Sequence, residues 1–86
     1  MIEQHHWDEA KAMIVTAGWG ENRSEEWHQG LLNAVAWHLA GMPLGFGRSA
    51  CPYEIKTAQR DAWLGGWMNG KAACIREGIG DAEVKQ

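Results

Sequence analysis

The sequence predicts an all-α fold, a small single domain of three helices, on three observations. Apolar residues recur at three- and four-residue steps in three long segments, glycine and proline clusters separate those segments, and no alternating strand pattern of useful length occurs. At 86 residues the chain is one domain, in a size range that buries only about 60 to 70% of its unfolded surface. With 45% hydrophobic and 22% charged residues and no block of like charges, the composition is globular, not disordered. The ordered domain is expected over 1–78, followed by a frayed tail over 79–86.

The first helix is expected over 3–17, where Trp7, Ala10, Ile14 and Ala17 share a face and Asp8, Glu9 and Ala12 point elsewhere. Gly18-Trp19-Gly20 ends it, with Gly18 suited to the left-handed position after a helix C-terminus.

The second helix is expected over 22–40. Asn22 or Ser24 can cap it, and Glu25 and Glu26 suit the positive end of its dipole. Trp27, Leu31, Ala34, Val35, His38 and Gly41 form one broad face, with Gln29 and Asn33 opposite.

Gly41-Met42-Pro43-Leu44-Gly45-Phe46-Gly47 interrupts any helix, so 41–53 reads as a loop. Gly45-Phe46-Gly47 is no phosphate loop, since no Gly-Lys-Ser/Thr follows and no strand precedes it. Pro52 fits a helical first turn, and the third helix is expected over 54–77. One of its faces is small (Ala58, Ala62, Gly65, Gly66, Asn69, Ala73) and would let another helix approach closely. The other interleaves cations with large apolar residues: Lys56, Arg60, Trp63, Leu64, Trp67, Met68, Lys71 and Ile75.

Several function classes find no support. No apolar run approaches the ~20 residues needed to cross a bilayer, and Met1-Ile2-Glu3-Gln4-His5-His6 is not a secretory leader. A cytoplasmic protein with no membrane partner is expected, with Cys51 and Cys74 as reduced thiols. His5, His6, His28 and His38 lack the close ligand spacing of a zinc site, so neither a metal nor a cofactor is expected. Glu25 and Glu26 read as a helix N-terminus, and no histidine is identifiable beside Cys51, so no enzyme is expected. The net charge is -3. Any surface for a polyanion must therefore be local.

Six tryptophans are many for so small a core. Trp7, Trp27 and one of Trp63 and Trp67 are expected inside. Trp19 and Trp37 are candidates for a second interface, since exposed tryptophan is enriched where proteins bind partners. The Arg60, Trp63, Trp67 and Lys71 face suits either stacking on unpaired bases or internal cation-π packing.

Gly47-Arg48-Ser49, Cys51-Pro52-Tyr53, and Arg60 three residues before Trp63-Leu64-Gly65-Gly66-Trp67 together resemble the ribosome modulation factor family and its plasmid- and phage-borne relatives. The resemblance covers roughly residues 34–78, about half the chain. It implies two helices joined by a linker, and a protein that regulates translation by binding the ribosome and its rRNA. By the resemblance Arg48, Tyr53, Arg60, Trp63 and Trp67 become candidates for contacting RNA or a partner, or for holding the contact surface, and the helical face adds Lys56 and Lys71 to them. Two other readings suit the same features. One is a phage or mobile-element inhibitor of the anti-CRISPR type, acting by protein contact on a host defence or nucleic-acid-processing complex. The other is a homodimer whose surplus tryptophans fill the interface.

Overall fold

The computed structural model describes residues 2–20, 22–43, 47 and 50–79. Among them the chain forms three helices and no strand: α1 (Gln4–Ala17), α2 (Glu25–Leu39) and α3 (Ala58–Glu77). The expected fold class holds at that level, and each helix begins and ends for a local reason.

A capping box starts α1. The Glu3 side chain accepts from the His6 backbone, and the Glu3 N–H donates to His6 Nδ1 at 3.0 Å. Gly18, at φ 70°, ends it, and the Trp19 N–H donates back to the Ile14 carbonyl at 3.2 Å. Ala10 is fully buried, with Trp7, Met13 and Ile14 packed partly beside it. Ala17, expected on the core face, is exposed. It is the helix's last residue, and the chain turns away immediately after it.

Ser24, one of the two expected caps, accepts from the Trp27 N–H at 3.2 Å and starts α2. The buried face contains Trp27, Leu31, Ala34, Val35 and His38, as its periodicity predicts, together with Gly30 and Ala36, whereas Gly41, expected on the same face, lies beyond the end of α2 at φ 84° and is exposed. His38 is completely buried, its ring edge-on to Trp37 at 5.3 Å between centroids.

The third helix begins later than expected. Pro52 lies outside it, and Thr57 is the cap: its Oγ1 accepts from the Arg60 N–H at 3.2 Å and donates to the Glu54 carbonyl at 2.7 Å. Residues 54–57 therefore belong to the linker. Gly78, at φ 72°, closes α3, with the Ile79 N–H donating to the Cys74 carbonyl at 2.8 Å. The ends of α1 and α3 are thus built alike. In each, the residue after the glycine, Trp19 or Ile79, folds back onto the core. The expected frayed tail, 79–86, lies outside the described residues except for Ile79, which packs on that core.

The α2–α3 crossing organises the core. A Cβ placed on Gly30 would overlap the Trp63 carbonyl and lie 2.9 Å from the Trp67 nitrogen. One placed on Gly66 would overlap the Trp27 carbonyl and lie 3.1 Å from the Leu31 nitrogen. Each helix thus contributes a Trp-x-x-Gly segment whose glycine seats on the tryptophan backbone of the other. Gly70 continues the contact against Ala34 and Leu31. Side chains larger than hydrogen at these points would hold the axes apart, beyond the short end of the usual 8–10 Å separation.

The buried face of α3 is Trp63, Gly66, Trp67, Gly70, Ala73 and Cys74. It cuts across both expected faces. The small residues do admit a neighbouring helix, but the two tryptophans flank that same contact and point inward with it. No helix among the described residues is long and apolar enough to cross a membrane.

Candidate functional site

The residues nominated from sequence fall into three groups. Trp63 and Trp67 are core residues, 2% and 5% exposed. An indole so enclosed has no free face for a base to stack on, which removes both as direct RNA contacts in this conformation and makes them supports of the surface.

Tyr53 and Arg60 form the second group, which ties the linker to the helix pair. Arg60 Nη1 donates to the Tyr53 carbonyl at 3.1 Å, and the Tyr53 hydroxyl donates to Gln29 Oε1 at 3.0 Å. One residue of the Cys-Pro-Tyr segment is thereby fixed to α3 through its backbone and to α2 through its side chain. Desolvation pushes the Tyr53 hydroxyl above its ordinary pKa, with further contributions from the carboxylates of Glu26 and Glu25 and from Cys51. The phenol therefore stays protonated and keeps donating at neutral pH. Cys51 stands seven residues before the first residue of α3, so it does not sit at that helix's N-terminus.

Lys56 and Lys71 form the third group and are exposed. Lys56 holds a left-handed backbone, φ 69°, immediately before the Thr57 cap, beside Ile55, which is 72% exposed. Lys71 Nζ lies over the Trp67 ring, 5.7 Å from its centroid, the cation-π geometry expected from the spacing, here on a core tryptophan. A second such contact, Arg23 over Trp27 at 5.2 Å, was not anticipated. Arg23 precedes the Ser24 cap and lies outside α2, so helical spacing does not encode this contact. Arg48 lies outside the described residues.

The two candidates for a second interface are half-buried and lie in different places. Trp37 donates its Nε1 proton to the Pro43 carbonyl at 2.9 Å and packs 5.4 Å from the Trp67 ring. Trp19 lines a groove between α1 and the end of α3, with Met13 and Ile79.

What remains accessible near the nominated residues is the outer face of α3. Trp37, Trp67, Met68, Lys71, Ala72 and Ile75 line a shallow concavity there. Met68 and Ile75 are 55% and 50% exposed. Both belong to the face of α3 expected to interleave cations with large apolar residues, though neither is among the nominated contacts.

Among the described residues, no three His, Cys, Asp or Glu side chains gather where they would hold a metal ion. Cys51 and Cys74 are free thiols; burial pushes Cys74 up to about 12. No family model, curated protein or solved structure matches this chain.

Proposed function

We propose that this protein is a non-enzymatic binding module that docks on the small ribosomal subunit and so modulates translation, as its resemblance to ribosome modulation factor implies. The observation that supports this reading is the Tyr53 junction. Of the residues that carry the resemblance, Tyr53 is held by Arg60 and by Gln29 of α2, and the Trp63–Trp67 segment is seated on the Trp27–Gly30 turn of α2. The resemblance implies two helices joined by a linker, and the linker between α2 and α3, tied to both helices at Tyr53, supports this reading.

In this reading the tryptophans and Arg60 shape the surface, and Lys56 and Lys71 touch RNA. A contact made by so few cations releases few counterions, so it is weak but salt-sensitive. Ribosome co-sedimentation at ~50 and ~200 mM salt tests it, over a span in which even a few phosphate contacts lose about tenfold or more in affinity. Binding at low salt that fades at high salt, and fades again in a Lys56→Glu/Lys71→Glu double variant, is the expected outcome. Absence from the ribosome pellet at both salts overturns the proposal.

A further inference from the structure

The groove between α1 and the C-terminal end of α3 combines an apolar floor with a concentration of negative charge. α1 and α3 each pack against α2, and Met13, Trp19 and Ile79 line the space left between them. Along the α1 side Glu9, Met13 and Ala17 follow one another four residues apart, a ridge about 12 Å long. The two charged side chains that line the groove, Glu9 and Glu77, are both carboxylates. Glu77 has Arg76 at 3.7 Å, but both side chains are more than half exposed, and an ion pair in water is worth little.

The helix ends add to this charge. α1 ends at Ala17 and α3 at Glu77, and both residues line the groove. Each C-terminus presents the negative pole of its helix, equivalent to roughly half an elementary charge. The last turn of α1 has no basic residue to offset it. Two carboxylates and two dipole ends therefore act on one apolar groove, on a chain whose net charge is -3. Such a field repels phosphate, which argues against nucleic acid here. A metal ion would leave the apolar floor uncovered, and no three ligating side chains gather among the described residues. An amphipathic helix with Lys or Arg beside its apolar stripe satisfies both the floor and the charge.

We propose that this groove docks a basic amphipathic helix of a partner protein, with cations of that helix on Glu9 and Glu77 and its apolar side chains over Met13, Trp19 and Ile79. The interaction uses none of the residues assigned to RNA and does not depend on ribosome binding. It is tested with three synthetic helical peptides that share leucines at i, i+4 and i+7 and carry flanking Lys, Gln or Glu. Each is titrated into the purified full chain while the assigned indole N–H signals are followed by NMR.

The Lys peptide is expected to bind about tenfold or more tightly than the Glu peptide, to shift the Trp19 indole signal, and to weaken as salt is raised. A Glu9→Lys/Glu77→Lys chain should lose about tenfold or more of that affinity. Glu54→Lys/Asp61→Lys, the same change in charge towards the other end of α3, should leave it within about twofold, since Asp61 and Glu77 are separated by 16 residues of helix, about 24 Å. No binding of the Lys peptide, equal binding of all three, or binding that leaves the Trp19 signal in place overturns the proposal. So does a Trp19 signal that moves when the free chain is diluted, which would put a second copy in the groove, or peptide binding seen only after deletion of residues 80–86, which would put the chain's own tail there. Because no ribosome is present, none of these outcomes bears on co-sedimentation.

Discussion

Gly66 lies directly against the Trp27 carbonyl, leaving no room for a Cβ, while its neighbour Gly65 faces the Trp27 ring edge with a Cβ clearance of 3.6 Å. Two adjacent glycines in one helix therefore have opposite tolerances. Gly66→Ala must push backbone against backbone, an overpacking loss of about 1–3 kcal/mol or more, only partly offset by the ~1 kcal/mol that alanine gains in helix propensity. Gly65→Ala keeps that gain with an ordinary contact. In thermal denaturation Gly66→Ala and Gly30→Ala should lower Tm by about 5 °C or more, on a scale of roughly 4–8 °C per kcal/mol, and Gly65→Ala should leave it unchanged or raise it. Equal losses at 65 and 66 would show that the crossing is not so close.

The same glycines explain what was legible in the sequence. Helix ends were readable because Gly18, Ser24 and the acids after it are local signals that act within a turn. The buried face of α2 was readable because its large residues mark it. That of α3 was not, because two of its six residues, Gly66 and Gly70, are marked by the absence of side chains. Trp63, Gly66, Trp67, Gly70 and Cys74 follow helical spacing only when glycine counts as a contact residue, and a separation of small from large residues divides one face into two. The start of α3 was set too early because Pro52 is compatible with a first turn, whereas the Thr57 hydroxyl forms the cap. Tyr53 and Arg60 were found, but their joint role depends on a contact that spans the irregular linker residues 54–57, which no periodicity encodes.

Burial assigns Trp63 and Trp67 to stability. Trp67→Ala should cost about 3–5 kcal/mol, a large share of the stability of a domain this small. Urea denaturation should show a much lower midpoint, with loss of any binding following from loss of structure. A Trp67→Ala chain of near-native stability would refute the core assignment and return Trp67 to the set of direct contacts.

The two thiols should be distinguishable by reactivity. Cys74 is fully buried with its thiol pushed up to about 12, while Cys51 is half-buried in the linker. At pH 8 a disulfide-exchange reagent should titrate one thiol per folded chain and the second only after denaturation. The raised value also sets the sign of a pH effect. Unfolding returns Cys74 to about 9, so the unfolded chain binds fewer protons in alkali, and the stability present below pH 9 is lost as the pH rises towards 12. Alkaline melts of a Cys74→Ala variant should be flatter over that window than those of the wild type.

Lys56 separates conformational strain from binding. Its φ of 69° lies in a region that a lysine occupies at a cost of about 1 kcal/mol and that asparagine tolerates better. The side chain is exposed and contributes nothing to the core. Lys56→Asn should therefore raise stability by about 0.5–1 kcal/mol, whereas Lys56→Arg should leave it unchanged. If Lys56 contacts phosphate, ribosome binding will move the other way: Asn weakens it despite the more stable fold, and Arg retains it. A Lys56→Asn chain that is both more stable and fully able to co-sediment would place the contact elsewhere, and would leave the left-handed turn as a requirement of the chain's path into the Thr57 cap.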